Sequence, residues 1–262
     1  MSTSQEISFV TIRGRRLEVG RIAAPRSGGP TLVFLHEGLG SLSMWRDFPQ
    51  QAVAATGCAA VVYSRYGHGQ SEVLRGPRAA DYMHVEALEV LPELLERLGV
   101  ADPVLVGHSD GASIALVHAA GRIEVRGLVL MAPHVFVEDL SVESIAAAKL
   151  AFETTDLPQR LARHHADADK TFRGWNDIWL HPDFRAWNIE EYMPRVYCPI
   201  LAIQGFDDEY GTMAQLEAIG VQAGGAVELL RLTDCRHSPH RDQPQVVIEA
   251  MTRFIDRLGE GA

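Results

Sequence analysis

Short apolar runs that recur along the chain, with helical patterns between them, constrain the fold more than any other feature. Six of these runs are rich in branched apolar residues and lack a clear apolar–polar alternation, which is typical of strands covered on both faces. They are TLVFLH (31–36), CAAVVYS (58–64), PVLVGH (103–108), VRGLVLMA (125–132), PILAIQG (199–205) and AVELLRL (226–232). Because strand–helix alternation produces a mostly parallel sheet covered by helices, the sequence predicts an α/β protein.

The segments around these strands carry turn and helix signals. Alternating runs at 5–12 and 15–23 flank the sequence RGRR and predict a hairpin. Helical patterns lie at 81–99, 109–121 and 243–259. Gly99 ends the first of them as a C-cap, and Pro92 inside it predicts a kink or a break, because proline cannot donate a helical hydrogen bond.

One segment interrupts the alternation. Residues 138–195 contain helical patterns and an aromatic stretch but no convincing strand. We expect a helical cap, or lid, inserted over the carboxyl edge of the sheet, which is where open α/β sheets bind ligands. The predicted domains are therefore a core formed by 1–137 and 196–262, and a cap at 138–195.

Composition and charge disfavour several classes of function. The net charge is −10, whereas a nucleic-acid or anionic-membrane partner requires a basic face. Cys58, Cys198 and Cys235 are too few and too scattered for a disulfide framework or a zinc knuckle. The start MSTSQEISFV lacks the features of a secretory signal, and no apolar stretch approaches membrane-spanning length. We expect a cytoplasmic protein that binds a small molecule, and the oligomeric state stays open, a homodimer included.

The motif that carries chemistry is GHSDG at 107–111, a G-x-S-x-G sequence between a strand and a helix. The glycines permit a turn so tight that Ser109 projects from it, and the backbone N–H that follows points into the same space. The amino-terminal end of the next helix adds a positive potential there. In this context we interpret Ser109 as a catalytic nucleophile.

A nucleophilic serine needs a base, and the base needs a carboxylate that orients it. The loops after two later strands offer both groups, in FDDEYGT and TDCRHSPHRDQP. His237 is the predicted base, which takes the proton of Ser109 and later returns it to the leaving group. Asp208 is the predicted orienting acid, with Asp207 and Glu209 as rivals.

The chain resembles the α/β-hydrolase superfamily over nearly its whole length. FLHEGLGS resembles the oxyanion loop of that family, SRYGHGQS its R-G-x-G-x-S turn, and GHSDG its nucleophile elbow. GFDD resembles the acid loop and favours Asp208, and RHSPHRDQP resembles the histidine loop and favours His237 over His240. The resemblance implies a mostly parallel eight-stranded sheet with helices on both faces and a helical cap. It also implies no cofactor and no metal.

The resemblance further implies that the backbone N–H groups of Gly38 and Asp110 form an oxyanion hole. Two departures stand out: Glu37 replaces the first glycine of the oxyanion loop, and Arg236 replaces the glycine before the histidine. At ~5 Å and an effective dielectric constant of ~20, an ionised Glu37 would repel the oxyanion by roughly 3 kcal/mol, or about a hundredfold in rate.

Three arrangements of Glu37 avoid that repulsion. The carboxylate pairs with an arginine, for which Arg65 is the nearest candidate, or it is protonated in a dry pocket, or it receives a cationic substrate group. Asp110 raises the same alternatives, because its carboxylate either binds a substrate ammonium or stabilises the start of its helix. The pair makes a polar or cationic substrate more plausible than a long fatty ester.

Aromatic residues are the remaining candidates for substrate contact. Trp175, Trp179 and Trp187 either line an acyl pocket or form the packing core of the cap, and Tyr210 follows the acid loop. The predicted function is a serine hydrolase of small carboxylic esters, lactones or thioesters. Hydrolysis of a carbon–carbon bond in a ring-fission diketone is the close alternative, and a cofactor-free oxygenase, a peroxidase-like enzyme or a binding protein of the same fold stays open.

Overall fold

The structure, a computed structural model, describes residues 5–25, 28–121 and 124–260. Residues 1–4 lie outside these ranges. They belong to the start of the chain, which the sequence predicts is not a secretory signal. The described chain forms one eight-stranded sheet with the order β1-β2-β4-β3-β5-β6-β7-β8. The strands are β1 (Gln5–Ile12), β2 (Arg15–Ile22), β3 (Thr31–Leu35), β4 (Ala59–Ser64), β5 (Pro103–His108), β6 (Gly127–Met131), β7 (Ile200–Gly205) and β8 (Val227–Leu232).

The sheet is mostly parallel, as the sequence predicts. β1 pairs with β2, and β2 pairs with β4, in antiparallel orientation. The other pairs, β4–β3, β3–β5, β5–β6, β6–β7 and β7–β8, are parallel. The carboxyl ends of β3, β5, β6, β7 and β8 therefore lie along one edge. The predicted hairpin and all six predicted strands are confirmed to within two residues at each end.

Helices cover both faces of the sheet, because the central strands are apolar on both sides. One buried cluster joins Val33 and Leu105 to residues of the helices after β4 and β5. The other joins Leu32 and Phe34 to residues of the first and last helices. The helices are α1 (Phe48–Thr56), α2 (Tyr82–Val85), α3 (Leu91–Leu98), α4 (Asp110–Ala120), α5 (Asp139–Thr154), α6 (Leu157–Leu161), α7 (Ala168–Trp179), α8 (Ala214–Gln222), α9 (Pro239–Asp242) and α10 (Pro244–Glu260).

The predicted helix at 81–99 is interrupted. A π-helical turn at Glu86–Val90 separates α2 from α3, and Pro92 lies in the first turn of α3. Proline has no N–H to donate, so the regular ladder cannot continue through this point. The helix ends at Gly99, whose φ of 70° is the left-handed conformation expected of a glycine C-cap.

The segment between β6 and β7 is helical. Residues 138–195, all of which are described, form α5, α6 and α7 with short 3-10 turns at Pro182–Ala186 and Glu190–Arg195, and they contain no strand. Trp179 packs against Phe184 at 5.0 Å between ring centroids, and Phe184 stacks on Trp187 at 5.5 Å. Trp187 therefore belongs to an internal aromatic cluster of this segment.

The described residues lack two features, a helix that could span a membrane and a cluster of metal-ligating side chains. None of the helices there combines the length and the apolar character needed to cross a bilayer. In the same residues, histidine, cysteine and acidic side chains do not gather in groups of three or more that could hold a metal ion.

Candidate active site

Ser109 occupies a strained turn between β5 and α4. Its backbone has φ 53° and ψ −120°, a conformation that is uncommon for a residue other than glycine. The N–H of Ser109 donates to the carbonyl of Met131 at 2.9 Å, which ties the turn to the end of β6. Strain that is held in place in this way is typical of a functional position, and here it places the serine at the carboxyl edge of the sheet.

The two glycines of GHSDG are required by close approach. A Cβ at Gly107 would lie 2.5 Å from the carbonyl oxygen of Gly111, and a Cβ at Gly111 would collide with the carbonyl oxygen of Leu35 in β3. The start of α4 therefore packs directly on the end of β3. This contact brings the N-terminus of α4 beside the loop that follows β3.

The loop after β3 carries the predicted oxyanion donor Gly38. Its carbonyl accepts a hydrogen bond from His68 Nε2 at 2.9 Å, and the carbonyl of Leu39 accepts one from His165 Nε2 at 3.0 Å. Within the described residues, neither the N–H of Gly38 nor that of Asp110 donates to a protein acceptor. Gly38 and Asp110 both border the cavity that Ser109 borders.

His237 and Asp208 form a hydrogen-bonded pair. The His237 Nδ1–Asp208 Oδ1 distance is 2.8 Å. The carboxylate also accepts from the N–H of Tyr210 at 2.8 Å and from Gln204 Nε2 at 3.2 Å, so its orientation is fixed. Because Nδ1 donates to Asp208, the neutral imidazole keeps a lone pair on Nε2, which is the atom a general base uses.

The rivals of Asp208 have other contacts. Asp207 is exposed. Glu209 binds the guanidinium of Arg236 at 2.9 Å and accepts the backbone N–H of His237 at 3.2 Å. The loop after β7 thus supplies two carboxylates to the histidine loop, Asp208 to the ring and Glu209 to the backbone.

The surroundings of Asp208 and His237 lower the pKa of the carboxyl group and raise the pKa of the imidazole. Burial raises the pKa of Asp208, but the charge and hydrogen bond of His237 outweigh it, and the pKa is lowered overall. Burial lowers the pKa of His237, but the charge and hydrogen bond of Asp208, with further charge from Glu209 and Glu37, raise it above 6.5. Such opposed shifts are typical of a carboxylate–imidazole pair in an active site.

The predicted site residues other than Asp208 border one cavity of about 160 Å³. Its walls include Ser109 and His237 from the core and Trp175, Trp179 and Ile145 from the segment between β6 and β7. The other residues that line it are Glu37, Gly38, Leu39, Asp110, His134 and Tyr210. Larger cavities of about 290 and 760 Å³ lie around residues 74–78, and neither Ser109 nor His237 lines them.

Arg65 does not pair with the carboxylate of Glu37, and the sequence-based expectation was wrong on this point. Arg65 donates to the backbone carbonyls of His36 and Glu37, the latter at 3.0 Å. The carboxylate of Glu37 lies instead 3.4 Å from His108 Nδ1 and 3.5 Å from a guanidinium nitrogen of Arg241. Its side chain is 17% exposed.

The carboxylate of Asp110 belongs to a buried network. Its Oδ2 accepts from the hydroxyl of Tyr82 at 2.6 Å and lies 3.7 Å from a guanidinium nitrogen of Arg65. The hydroxyl of Tyr82 in turn accepts from Trp179 Nε1 at 3.1 Å. This chain of contacts links α7 to the first residue of α4. It favours the stabilising interpretation of Asp110 over the binding of a substrate ammonium.

His134 borders the cavity and was missed by the sequence analysis. Its ring lies 5.1 Å from that of Trp179 and 5.8 Å from that of His237. Burial, together with the charge of His237, lowers the pKa of His134 to about 3, so the ring is neutral. Only its position could have indicated it, because His134 lies three residues after the end of β6, at the edge of the sheet where Ser109 follows β5.

A mostly parallel sheet with this strand order, and a strained serine that shares a cavity with the histidine of an imidazole–carboxylate pair, are typical of the α/β hydrolases. The chain belongs to the alpha/beta hydrolase family, whose family model matches residues 32–250. Its relatives include the sn-1-specific diacylglycerol lipase ABHD11 of Mus musculus, which is 27% identical over 257 residues that cover 86% of this chain and 81% of the lipase.

Solved structures of similar fold include proteins named for different enzymatic activities. The proline iminopeptidase of Mycobacterium smegmatis superposes with a TM-score of 0.77 at 16% identity, over 97% of this chain and 98% of that one. The enol-lactonase of Burkholderia xenovorans LB400 superposes with a TM-score of 0.72 at 21% identity, over 95% and 100% of the two chains. At these identities the likeness shows the fold alone, and the substrate must be argued from the site.

Proposed function

We propose that this protein is a serine hydrolase that cleaves a small carboxylic ester, lactone or thioester through an acyl-serine intermediate. The observation that carries the proposal is the cavity in which Ser109, at its strained turn, and His237, oriented by Asp208 at 2.8 Å, face the same space. Membership of the hydrolase family supports a hydrolytic reaction.

In the proposed mechanism, His237 acts first as a base and then as an acid in each half-reaction. His237 Nε2 takes the proton of Ser109 as the hydroxyl oxygen attacks the substrate carbonyl. The N–H groups of Gly38 and Asp110 donate to the negative oxygen of the tetrahedral intermediate, a term that is often the largest single contribution to catalysis. His237 then protonates the leaving group, and it later activates the water that releases the acid.

We assign residues 138–195 as a helical cap that limits the size of the acyl group. Ile145, Trp175 and Trp179 from this segment close the cavity over Ser109. A volume of about 160 Å³ is small beside the roughly 300–1,000 Å³ of sites for drug-sized ligands. Tyr210, whose ring lies 4.7 Å from that of His237, completes the wall on the other side.

The polar lining favours a substrate with a polar acyl or alcohol group. Trp175 and Trp179 offer apolar surface, whereas His134 and the carboxylate of Glu37 place polar groups on the same cavity. The cytoplasmic location stays a prediction from the sequence, and the oligomeric state stays open.

The proposal is tested with p-nitrophenyl esters of increasing chain length. Acetate and propionate esters should be cleaved with a kcat/KM well above that of the octanoate ester, because the long chain does not fit the cavity. Ser109→Ala should abolish turnover of all of them. Turnover that survives in Ser109→Ala would contradict the proposal. So would a wild-type protein that cleaves no ester, thioester or lactone. If that wild-type protein cleaves a diketone instead, the carbon–carbon hydrolase is favoured.

A further inference from the structure

His134 borders the proposed active-site cavity with an imidazole that has no hydrogen-bond partner among the described residues. The residue is 3% exposed. Its Nδ1 is buried without a partner, which leaves Nε2 as the nitrogen through which the ring meets the cavity. Because buried polar groups of folded proteins are almost always hydrogen-bonded, an unpaired imidazole in the wall of a cavity indicates a contact with a ligand.

Buried histidines elsewhere in the described chain differ from His134. Nδ1 of His165 accepts from the N–H of Gly69 at 3.0 Å, and its Nε2 donates to the carbonyl of Leu39 at 3.0 Å. Both nitrogens of His240 are unpaired, but they are buried in an aromatic cluster, and His240 does not line the cavity. His134 thus combines an unpaired ring with a position that a substrate can reach.

The position of His134 is fixed by contacts on three sides. Ser113 Oγ donates to the backbone carbonyl of His134 at 2.6 Å. The imidazole lies 5.1 Å from the ring of Trp179 at an interplanar angle of 66°, and a Cβ at Gly211 would lie 3.5 Å from Cε1 of the imidazole. A ring held in this way is pre-organised, so little side-chain entropy is lost when it binds a ligand.

The chemistry of the ring selects the kind of group that it can bind. Burial, with the charge of His237, lowers the pKa of His134 to about 3, although Asp208 opposes this, so the ring offers no charge to an anion. A nitrogen of a neutral imidazole either donates one hydrogen bond or accepts one, according to the tautomer. A hydroxyl group can do both and therefore matches Nε2 in either tautomer. A substrate carboxylate is disfavoured further, because Glu37 places a carboxylate on the same cavity.

We propose that His134 is a specificity-determining residue whose Nε2 forms a hydrogen bond with a hydroxyl group of the substrate. The inference rests on the proposed function and narrows its substrate class to small esters, lactones or thioesters that carry a hydroxyl group close to the scissile bond. The short distance follows from the 5.8 Å between the ring centroids of His134 and His237, since His237 must reach the reacting atoms.

Two pairs of ethyl esters test the preference, because within each pair a methyl group replaces the hydroxyl group. Ethyl lactate is compared with ethyl isobutyrate, and ethyl 3-hydroxybutyrate is compared with ethyl isovalerate. The measured quantity is the ratio of kcat/KM for the hydroxy ester to kcat/KM for its alkyl partner. Comparing this ratio between proteins cancels the different intrinsic reactivities of the esters.

His134→Phe keeps an aromatic ring beside Trp179 but removes both nitrogens. In at least one pair the ratio should fall roughly tenfold, the worth of one lost hydrogen bond, and His134→Asn should retain part of the preference. Ile145→Val alters the cavity wall without removing a polar group, and as the matched control it should keep each ratio within about twofold of the wild type. Ratios that His134→Phe leaves unchanged in both pairs would overturn the proposal.

A binding measurement separates this inference from the proposed function. Ser109→Ala keeps His134 and needs no turnover. In long-range proton–nitrogen correlation spectra of the ¹⁵N-labelled protein, the Nε2 signal of His134 is assigned by its loss when His134→Asn is added. It should shift saturably with ethyl lactate or ethyl 3-hydroxybutyrate, and much less with the alkyl partner.

An Nε2 signal that responds equally to both members of each pair, or to neither, would overturn the role of His134. The spectra decide this even if His134→Phe does not fold, or if the wild type cleaves no ester. In the latter case the proposed function fails while the inference about His134 is still supported or overturned by the spectra.

Discussion

In the proposed mechanism, the charge on Asp208 controls the pH range in which His237 can act as a base. A general base must be unprotonated, so the acid limb of the rate profile follows the pKa of His237. Asp208 raises that pKa, through its charge and its hydrogen bond, by more than burial lowers it. Asp208 also accepts from Nδ1 of His237, which leaves Nε2 to act on Ser109 in that mechanism. One carboxylate therefore sets both the charge and the tautomer of the base.

Asp208→Asn should lower kcat/KM by up to about 10⁴-fold, the magnitude found when an amide replaces the orienting carboxylate of a serine triad. The remaining acid limb should move to lower pH, because the interaction that raises the pKa of His237 is lost. Activity measured from about pH 5 to about pH 9 checks both effects. Asp207→Asn, which alters the exposed neighbour, is the control, and an equal loss in that variant would contradict the assignment of Asp208.

At the scale of elements, the proposed active site depends on how closely α4 approaches β3. Gly111 is in the first turn of α4, and its missing side chain lets the helix contact the carbonyl of Leu35. The same contact places the N–H of Asp110 beside the loop that holds Gly38. A change that separates the two elements should therefore disturb both the stability of the fold and the position of the proposed oxyanion donors.

Gly111→Ala should destabilise the fold by about 3 kcal/mol or more, the range of severe single substitutions, because the new Cβ meets backbone atoms that cannot rotate away. Urea unfolding measures the loss, and turnover of p-nitrophenyl acetate should fall with it. Gly76→Ala is the matched control, since a Cβ there meets no atom within 4 Å of the described structure. Equal stability of the two variants would contradict the role of this close approach.

The sequence predicts the elements well because their signals are local. Apolar runs locate the strands, and Pro92 locates the interruption of its helix, since both act through the backbone of the same segment. The partners of Glu37 could not be predicted in this way. Arg241 lies 204 residues further along the chain, and its contact depends on the direction in which α9 leaves the histidine loop. His134 was missed because a lone histidine after a strand has no motif of its own.

At the scale of the whole molecule, a group of uncharged buried histidines links stability to pH. Burial is the largest cause of a lowered pKa in each of them, to about 4 in His165 and to about 3 in His134. They are His36, His68, His134, His165 and His240. Unfolding exposes these rings to water and restores their usual pKa near 6.5.

The free energy of unfolding should therefore fall as the pH is lowered from about 6.5 towards about 5. Over this window the unfolded chain binds more protons than the folded one, so the stabilisation is complete above about 6.5 and is lost below it. Each of these histidines contributes up to about 1.4 kcal/mol per pH unit, while His237, whose pKa is raised, acts in the opposite sense. Urea unfolding at several pH values measures the slope, and a stability that is flat or rises towards acid pH would contradict it.

The central claim is that His237 and Asp208 activate Ser109 as a nucleophile. Its most direct test is the intact mass of the protein after incubation with a fluorophosphonate, followed by peptide mapping of the modified residue. The account predicts that the wild-type protein gains one phosphonyl group per chain, on Ser109. Ser109→Ala should gain none, and His237→Gln should gain it much more slowly. The control Ser43→Ala should be modified like the wild type. A folded wild-type protein that stays unmodified, or that is modified at another residue, would contradict the claim.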